Sequence, residues 1–386
     1  MTSPVFLYAS VGESLTRYEL DIDSASLIQR ESISLPDTVQ YVWPHPTKRV
    51  FYVASSIRCP VGGSGVGHHL TALAADERGV LRQLGAPEPL PNRPIHLTVD
   101  HDGRYAYVTY AQPSALTVHR LNDDGTIGAS IPQSAQLDFG TFAHQTRVLP
   151  SNQTVVLVAR GHNEAPGEAE VPGALKLYSV QEGVLRERQT VAPGAGFGFG
   201  PRHVDFHPTK PWMFVSLERQ SALQVFTVSD NDDVSEHAAY SVNYLANPGG
   251  PHPHQLGGTV HVHPGGRFAY SVNRADQAEV VNGVPVVVGG ENSIVVFSIN
   301  ALTGEPSLIQ RISPQTLHVR TFSIDPTGTI LVAAGIMPVW VKQGQDVVCV
   351  PAALSVFRIG SDGKLSFVRK YDVDAGPKPQ WWMGIV

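Results

Sequence analysis

The sequence predicts an all-β fold, a closed propeller of seven four-stranded antiparallel blades. Three observations support this prediction. A hexapeptide with Leu or Ile first and usually an aromatic residue fourth recurs seven times. A Gly- or Pro-containing turn followed by a β-rich run precedes most of the copies. The chain ends each resemble half of a hairpin. Such repeats indicate one supersecondary unit repeated around a ring.

The hexapeptide predicts one strand in each blade. Its copies follow one another at intervals of 46 to 71 residues. The interval from the last copy through the C terminus to the first copy is 47 residues, which is the spacing that a closed ring requires. The copies are LTRYEL at Leu15, LTALAA at Leu70, LTVHRL at Leu116, LKLYSV at Leu175, LQVFTV at Leu223, IVVFSI at Ile294 and LSVFRI at Leu354.

Six turns introduce the first two strands of a blade, because Gly and Pro supply the backbone angles of tight turns. The seventh blade has no such turn. Instead, FLYAS (6–10) reads as a second strand with nothing before it, and PQWWMGIV (379–386) reads as a first strand with nothing after it. We expect the two to pair and close the ring, which leaves no open sheet edge. The six turns begin the segments 45–55, 100–110, 149–160, 207–217, 263–273 and 325–335.

Composition limits the classes of protein to consider. The 386 residues are 42% hydrophobic and carry a net charge of −6, which favours neither nucleic acid nor an anionic membrane as partner. The start MTSPVFLYAS lacks the basic and apolar regions of a secretory signal, and no apolar run could span a bilayer. We therefore expect one propeller domain over residues 1–386, cytoplasmic, monomeric or a small homo-oligomer, with Cys59 and Cys349 reduced.

The sequence predicts a group of polar residues at one end of the channel that runs through the centre of the propeller. In a tight hairpin, the sixth residue before the turn proline should lie beside the ninth or tenth residue after it. Arg202 should therefore contact Glu218. The inner strands of a propeller are tightly packed and should carry mostly small or apolar residues, so charged residues at these positions require an explanation. The residues at these positions that are charged or carry an imidazole are His144, Arg160, Arg202, Glu218, Arg274 and Arg320.

This ring of arginines with one histidine and one glutamate indicates an anion site with a proton-transfer pair. The alternative is a buried ion-pair network that sets the register of the blades. Four long segments, 61–67, 161–173, 275–290 and 336–349, each follow the second strand of a blade. We expect these segments to lie on one face of the disc, where loops on a rigid scaffold serve binding.

Two adjacent blades resemble those of the lactonase-type seven-bladed propellers. GPRHVDFHP (200–208) with FVSLE (214–218) is similar to the family's GPRH blade, and VHVHPGGRFAYSVNRAD (260–276) to its NR blade. HVRTFSIDPTG (318–328) and AHQTRVLPSNQTVVLVARG (143–161) extend the resemblance over the whole chain. The family includes propeller-type 6-phosphogluconolactonases and the fungal carboxy-cis,cis-muconate lactonising enzyme.

The resemblance implies hydrolysis of a sugar-acid or carboxylated lactone without metal or cofactor. Matching motifs make Arg202 and Arg274 the groups that bind the anion and polarise the carbonyl, with His144 and Glu218 as acid and base. Which of the two is the base stays open, although Arg202 beside Glu218 should lower the pKa of the carboxylate and favours His144. Substrate binding is assigned to Arg160, Arg320 and His203. Arg160 replaces a family aspartate, which suggests a substrate with a phosphate or a second carboxylate.

Three other interpretations remain open. One is lyase-type lactonisation of a muconate, and another is a non-catalytic propeller that serves as an interaction scaffold. The third is a zinc or copper site formed by two His-x-His pairs, His252 with His254 and His261 with His263. Against the metal site, His263 occupies a recurring His-Pro turn position.

Overall fold

Seven four-stranded antiparallel sheets follow one another around a ring in the computed structural model, which describes residues 5–57, 67–164, 167–250 and 254–386. Strand labels run in chain order. Blade 1 contains β1 (Val5–Val11), β2 (Ser14–Asp21) and β3 (Ser26–Ser34); blade 2 contains β4 (Thr38–Pro44), β5 (Val50–Ser56), β6 (His68–Ala75) and β7 (Leu81–Pro89); blade 3 contains β8 (Pro94–Val99), β9 (Tyr105–Ala111), β10 (Ser114–Leu121) and β11 (Ile127–Ile131); blade 4 contains β12 (Ala143–Val148), β13 (Thr154–Ala159), β14 (Ala174–Gln181) and β15 (Val184–Val191).

The remaining blades have the same organisation. Blade 5 contains β16 (Pro201–Phe206), β17 (Trp212–Leu217), β18 (Ala222–Thr227) and β19 (Tyr240–Asn243); blade 6 contains β20 (Gln255–Val262), β21 (Phe268–Ala275), β24 (Ser293–Ile299) and β25 (Pro306–Ile312); blade 7 contains β26 (Val319–Ile324), β27 (Ile330–Gly335), β30 (Ala353–Ile359) and β31 (Leu365–Asp372); β32 (Met383–Ile385) completes blade 1. A short 3₁₀ turn (Pro193–Gly196) precedes blade 5. Each hexapeptide copy lies in the third strand of its blade, as the repeat predicts.

The C-terminal strand closes the ring, which confirms the prediction from the two chain ends. β32 pairs antiparallel with β1, with Ala9 opposite Met383 and Leu7 opposite Ile385. The backbone N–H of Ser10 extends this pairing by donating to the carbonyl of Trp382 at 2.9 Å. The innermost strand of blade 1 therefore comes from the end of the chain and its other three strands from the beginning.

Apolar packing lies between the blades, with one buried cluster at each of the seven blade-to-blade contacts. Between blades 1 and 2, Tyr8, Val39, Val53 and Trp382 form part of such a cluster. Because strand side chains alternate between the two faces of a sheet, each blade can bury one face against each neighbour. The first strands of neighbouring blades also contact one another and line the centre of the ring.

Hydrogen bonds from side chain to backbone also connect neighbouring blades. The hydroxyl of Tyr52 in blade 2 donates to the carbonyl of Gly125 in blade 3 at 3.0 Å, and that of Tyr270 in blade 6 donates to Gly363 in blade 7 at 2.8 Å. Nε2 of His207 lies 2.9 Å from the carbonyl oxygen of Gly266 in the next blade. Nδ1 of His207 accepts the N–H of Thr209, so Nε2 carries the proton and donates it.

The long segments of blades 6 and 7 form an eighth sheet, where the sequence predicts loops. Its strands are β22 (Gln277–Val281), β23 (Val284–Gly289), β28 (Val339–Gln343) and β29 (Asp346–Val350). The two hairpins join through parallel pairing of Val286 with Trp340. Asn282-Gly283, both at positive φ, is a recognisable hairpin turn, but pairing between two hairpins about 60 residues apart is a tertiary event.

Some of the sequence predictions fall outside the described part of the chain. The segment 61–67 lies almost wholly outside it, as does Cys59, whereas Cys349 is an exposed free thiol in β29. Within the described residues there is no helix with the length and apolar character needed to cross a membrane.

Candidate active site

A β-bulge recurs at the same place in the first strand of six blades. In blade 5, Pro201 pairs with Leu217 and His203 pairs with Ser216, which leaves Arg202 unpaired between them. A bulge re-aims the extra side chain, and proteins often use bulges next to active sites. The bulged positions are Gln40, Ile95, His144, Arg202, Gly258 with Thr259, and Arg320.

The bulges show that the predicted direct pairing across the turn of each blade is wrong in one respect. The sixth residue before the turn does not pair directly with the ninth or tenth residue after it, because it is the extra residue of the bulge. The contact predicted between Arg202 and Glu218 is nevertheless present, since Glu218 directly follows the last paired residue of β17.

Three arginines from adjacent blades surround the carboxylate of Glu218. Arg202 donates from Nε to Oε1 at 2.9 Å, and Arg274 donates from Nη2 to the same oxygen at 2.7 Å. Arg160 donates from Nη1 to Oε2. Arg274 also donates to the backbone carbonyl of Gly257 at 3.1 Å, which fixes its guanidinium. The predicted residues of blades 4, 5 and 6 therefore meet in one cluster.

Solvent is nearly excluded from three of the four residues of this cluster. Glu218 is 4% exposed, Arg202 2% and Arg274 5%. Burial alone would raise the pKa of Glu218, but Arg202, Arg274 and Arg160 together lower it far below the usual range, so the carboxylate is ionised. Burial and the charge of Arg274 lower the pKa of Arg202 to about 10, which leaves it protonated at neutral pH.

One donor of Arg202 faces no protein acceptor. Its Nη1 is buried, and within the described residues nothing accepts a hydrogen bond from it. Because buried polar groups are normally hydrogen-bonded, this N–H is a donor whose hydrogen-bonding capacity the described residues leave unused. One carboxylate against three guanidinium groups also leaves the cluster with a net positive charge.

Two histidines lie next to the arginine cluster. The rings of His144 and His203 are 5.1 Å apart, and Nδ1 of His203 is 2.7 Å from Oγ1 of Thr259. Nδ1 of His144 is buried and has no hydrogen-bond partner among the described residues. Burial, and then the charges of Arg202, Arg160 and Arg320, lower the pKa of His144 well below 6.5, so its imidazole is neutral.

Arg320 belongs to a second cationic group rather than to the Glu218 cluster. Its guanidinium lies over the ring of Trp381, 4.3 Å from the centroid, and Arg93 lies 5.9 Å from the same ring. Arg93 also donates to Oε1 of Gln40 at 3.1 Å and 3.0 Å. Blades 7, 1 and 2 thus contribute a cation–π group of their own.

Sequence reasoning missed Trp381 and Arg93. Trp382 packs in the apolar cluster between blades 1 and 2, whereas Trp381 faces the arginines. Trp381 precedes the paired residues of β32 and so occupies the place of the bulged residue in blade 1. The prediction counts residues from the turn proline of each blade, and it does not cover Trp381 because blade 1 has no such proline. Arg93 lies in the turn before β8, where spacing carries no signal.

The proposed histidine metal site does not form around His261 and His263. Nδ1 of His263 accepts the N–H of Gly265, and its Nε2 donates to the carbonyl of Gly328 at 2.9 Å, so His263 is a turn residue. His261 lies 3.8 Å from a carboxylate oxygen of Asp205. His252 lies outside the described residues, and within them no three His, Cys, Asp or Glu side chains group as metal ligands.

Fold and site together define a seven-bladed propeller with a buried, arginine-rich cluster at its inner strands. Residues 7–336 match the family model described as Lactonase, 7-bladed beta-propeller. The chain therefore belongs to this family, as the motif resemblance implies.

Similar proteins agree with this assignment. The chain is 24% identical over 379 residues to the 6-phosphogluconolactonase of Erwinia tasmaniensis, covering 98% of this chain and 97% of the relative. It is 25% identical over 331 residues to the 6-phosphogluconolactonase of Bacillus subtilis, covering 83% and 84%. Among solved structures, the periplasmic gluconolactonase of Pseudomonas aeruginosa has a TM-score of 0.70 at 20% identity, covering 100% of this chain and 99% of that one. A protein from Lactobacillus plantarum has a TM-score of 0.72 at 18% identity, covering 100% and 99%.

Proposed function

We propose that the protein hydrolyses a sugar-acid lactone that carries a negatively charged group. The observation that carries this proposal is the Glu218 cluster, in which three arginines converge on one buried carboxylate beside the unpartnered imidazole of His144. Relatives named 6-phosphogluconolactonase support the same class of substrate.

Arg202 and Arg274 stabilise the charge that develops on the lactone carbonyl. Attack by water converts the carbonyl oxygen into an oxyanion, and donors fixed in advance near that oxygen lower the barrier. Nη1 of Arg202 is a buried donor without a protein acceptor, and Glu218 together with the carbonyl of Gly257 holds Arg274 in place. No covalent nucleophile is needed.

His144 is the better candidate for the general base. The three arginines hold Glu218 ionised with a very low pKa, so it is a weak proton acceptor. His144 is neutral and its Nδ1 is unpartnered, so the ring has a nitrogen available to accept a proton from water. Glu218 then acts as a positioning residue that orients the arginines. The role of acid falls to His144 in its protonated form, which returns the proton to the leaving oxygen.

The cation–π group of Arg320, Arg93 and Trp381 binds the charged end of the substrate. Arg320 and Arg93 share the ring of Trp381, and two guanidinium groups match a phosphate or carboxylate. Arg160 is partly exposed and can contribute from the other side of the cluster. His203 lies between His144 and Thr259 and holds the imidazole of His144 in position.

A panel of lactones tests the proposal. Hydrolysis of 6-phosphogluconolactone, glucono-δ-lactone and a muconolactone is followed by proton release in weak buffer, for wild type, H144Q and the control H119Q. His119 is another buried histidine, in β10 and outside the site. We expect turnover of a sugar-acid lactone and a loss of kcat in H144Q of about 100-fold or more. H119Q should keep the wild-type rate.

Each contrary result has a distinct meaning. Turnover restricted to the muconolactone, or lactonisation of a muconate, would replace the proposed substrate class with the muconate alternative. No turnover of any lactone above the spontaneous rate would overturn the proposed activity and favour an interaction scaffold. Turnover that H144Q leaves intact would refute His144 as the base.

A further inference from the structure

Arg219, which has no role in the proposed mechanism, joins the Glu218 cluster to two neighbouring segments. It follows Glu218 in the chain, and its side chain is 11% exposed. Its Nη1 donates to Oε1 of Glu170 at 2.8 Å, and its Nη2 donates to the backbone carbonyl of Arg160 at 3.2 Å. One planar guanidinium therefore holds both a carboxylate and the main chain of an arginine that contacts Glu218.

Glu170 connects the same guanidinium to the loop that precedes β16. Its Oε1 also accepts the backbone N–H of Gly198 at 2.8 Å, and its side chain is 28% exposed. Two residues further along this loop, the carbonyl of Gly200 accepts the backbone N–H of Glu218 at 2.8 Å. The pair of Arg219 and Glu170 thus links the long segment of blade 4 to the loop that enters blade 5.

Two glycines allow the loop and the segment to pack closely around the pair. A Cβ at Gly200 would lie 2.7 Å from Cγ and Cδ of Arg219, so any larger residue would displace the arginine side chain. A Cβ at Gly173 would lie 2.0 Å from the carbonyl oxygen of Phe199. The N–H of Gly173 donates to the carbonyl of Gly196 at 3.0 Å. Loop and segment therefore form one packed unit, with Arg219 inside it.

Arg160 depends on this unit more than the other arginines of the Glu218 cluster do. Its side chain is 34% exposed, whereas those of Arg202 and Arg274 are 2% and 6% exposed. Close packing holds a buried side chain in place, and a partly exposed one has less of that support. The position of Arg160 therefore rests on its main chain, where its N–H donates to the carbonyl of Phe142 at 3.0 Å and its carbonyl accepts from Arg219.

We propose that Arg219 and Glu170 are positioning residues that hold Arg160 in place for the charged group of the substrate. This inference rests on the proposed hydrolase activity and assigns to it two residues outside the Glu218 cluster. Loss of either partner releases the main chain of Arg160, so the anion is bound less tightly in the ground state and in the transition state alike. Such a loss of uniform binding raises KM and leaves kcat unchanged.

Separate measurement of KM and kcat distinguishes positioning from a general loss of structure. Initial rates with 6-phosphogluconolactone are compared for wild type, R219Q, E170Q and the control R188Q. In R219Q and E170Q we expect KM to rise about five-fold, with kcat within about two-fold of wild type. Arg188 also bridges a carboxylate and a backbone carbonyl, those of Asp233 and Asn231, but it lies in the outer strand β15. R188Q should therefore keep the wild-type KM.

A double-mutant cycle tests whether the pair acts through Arg160. R160Q by itself should raise KM for 6-phosphogluconolactone. Adding R219Q to R160Q should then change KM by less than about two-fold, because the guanidinium that Arg219 positions has already been removed. If the two substitutions instead multiply in their effects on KM, the positioning role is overturned.

The melting temperature of each variant shows whether it is folded at the assay temperature. E170Q makes the smaller demand on folding, because Glu170 is the more exposed partner, and it decides the question if R219Q does not fold. A wild-type KM in a folded variant, or a loss of kcat at wild-type KM, would overturn the positioning role alone. Absence of wild-type turnover would overturn the hydrolase proposal and the positioning role together.

Discussion

Nε of Arg202 lies 2.9 Å from Oε1 of Glu218, and both side chains are almost completely buried. Arg274 shares that oxygen from the next blade and Arg160 binds the other oxygen from the preceding blade, so one carboxylate positions arginines of three blades. The positive charge needed to bind an anion is thereby held inside the protein, where removing its counter-charge is expensive. This relationship links the stability of the inner strands to the geometry of the site.

Replacing the carboxylate of Glu218 should destabilise the protein. E218Q leaves Arg202 and Arg274 buried without a counter-charge, and we expect the free energy of unfolding in urea to fall by about 3 kcal/mol. The control E31Q breaks the pair between Arg17 and Glu31, in which Glu31 is 46% exposed. That change should cost less than about 1 kcal/mol. Equal effects of the two substitutions would contradict the importance assigned to the buried cluster.

The pH dependence of turnover should report His144. Because burial and the neighbouring Arg202, Arg160 and Arg320 lower its pKa, the free enzyme keeps His144 neutral through pH 7. The acid limb of kcat/KM should therefore lie below pH 6.5. A bound anion offsets the positive charge of the arginines, so the limb of kcat should lie at higher pH than that of kcat/KM. Stopped-flow rates over pH 4 to 9 measure both limbs, and a limb that persists in H144Q would assign it to another group.

Arg320 should discriminate between charged and uncharged lactones. It lies over Trp381 with Arg93 nearby, and a charge-assisted hydrogen bond contributes about 1.5 to 3 kcal/mol. R320Q should therefore raise KM for 6-phosphogluconolactone about ten-fold or more, and change KM for glucono-δ-lactone much less. R188Q, which removes an arginine paired with Asp233 outside the site, should change neither. An equal rise for both lactones would show that Arg320 does not bind the charged group.

Burial of the neutral His207 ring should make stability fall in mild acid. Burial lowers the pKa of His207, so as pH falls below 6.5 the unfolded chain takes up a proton before the folded one. This contribution is complete above about pH 6.5 and is lost as pH falls through the folded pKa. H207Q should cost about 1 kcal/mol at pH 7 and less at pH 5.

Urea unfolding of wild type and H207Q at both pH values measures the difference. The exposed His237 provides the matched control H237Q, for which no loss is expected at either pH. A cost for H207Q that does not depend on pH would refute the role of the neutral ring.

Much of the site was predictable because the repeat places each residue by its distance along the chain from the turn of its blade. The position of Arg202 relative to the turn at Pro208 places it next to Glu218, and that contact is present. The same spacing also identified the residues that occupy the bulges. No local signal in the sequence indicates that they form bulges. This spacing does not apply where the turn is missing: Trp381, in the blade completed by the C terminus, lies against Arg320 and was not predicted.

The number of blades, the third strand of each blade and the closure of β32 on β1 follow from the amino-acid sequence. These features depend on alternation, turn chemistry and period, which are properties of residues close together in the chain. The eighth sheet formed by two hairpins and the contact of His96 with His203 across the channel arise only in the folded chain. Such contacts join distant segments, and they exist only once the closed ring brings those segments together.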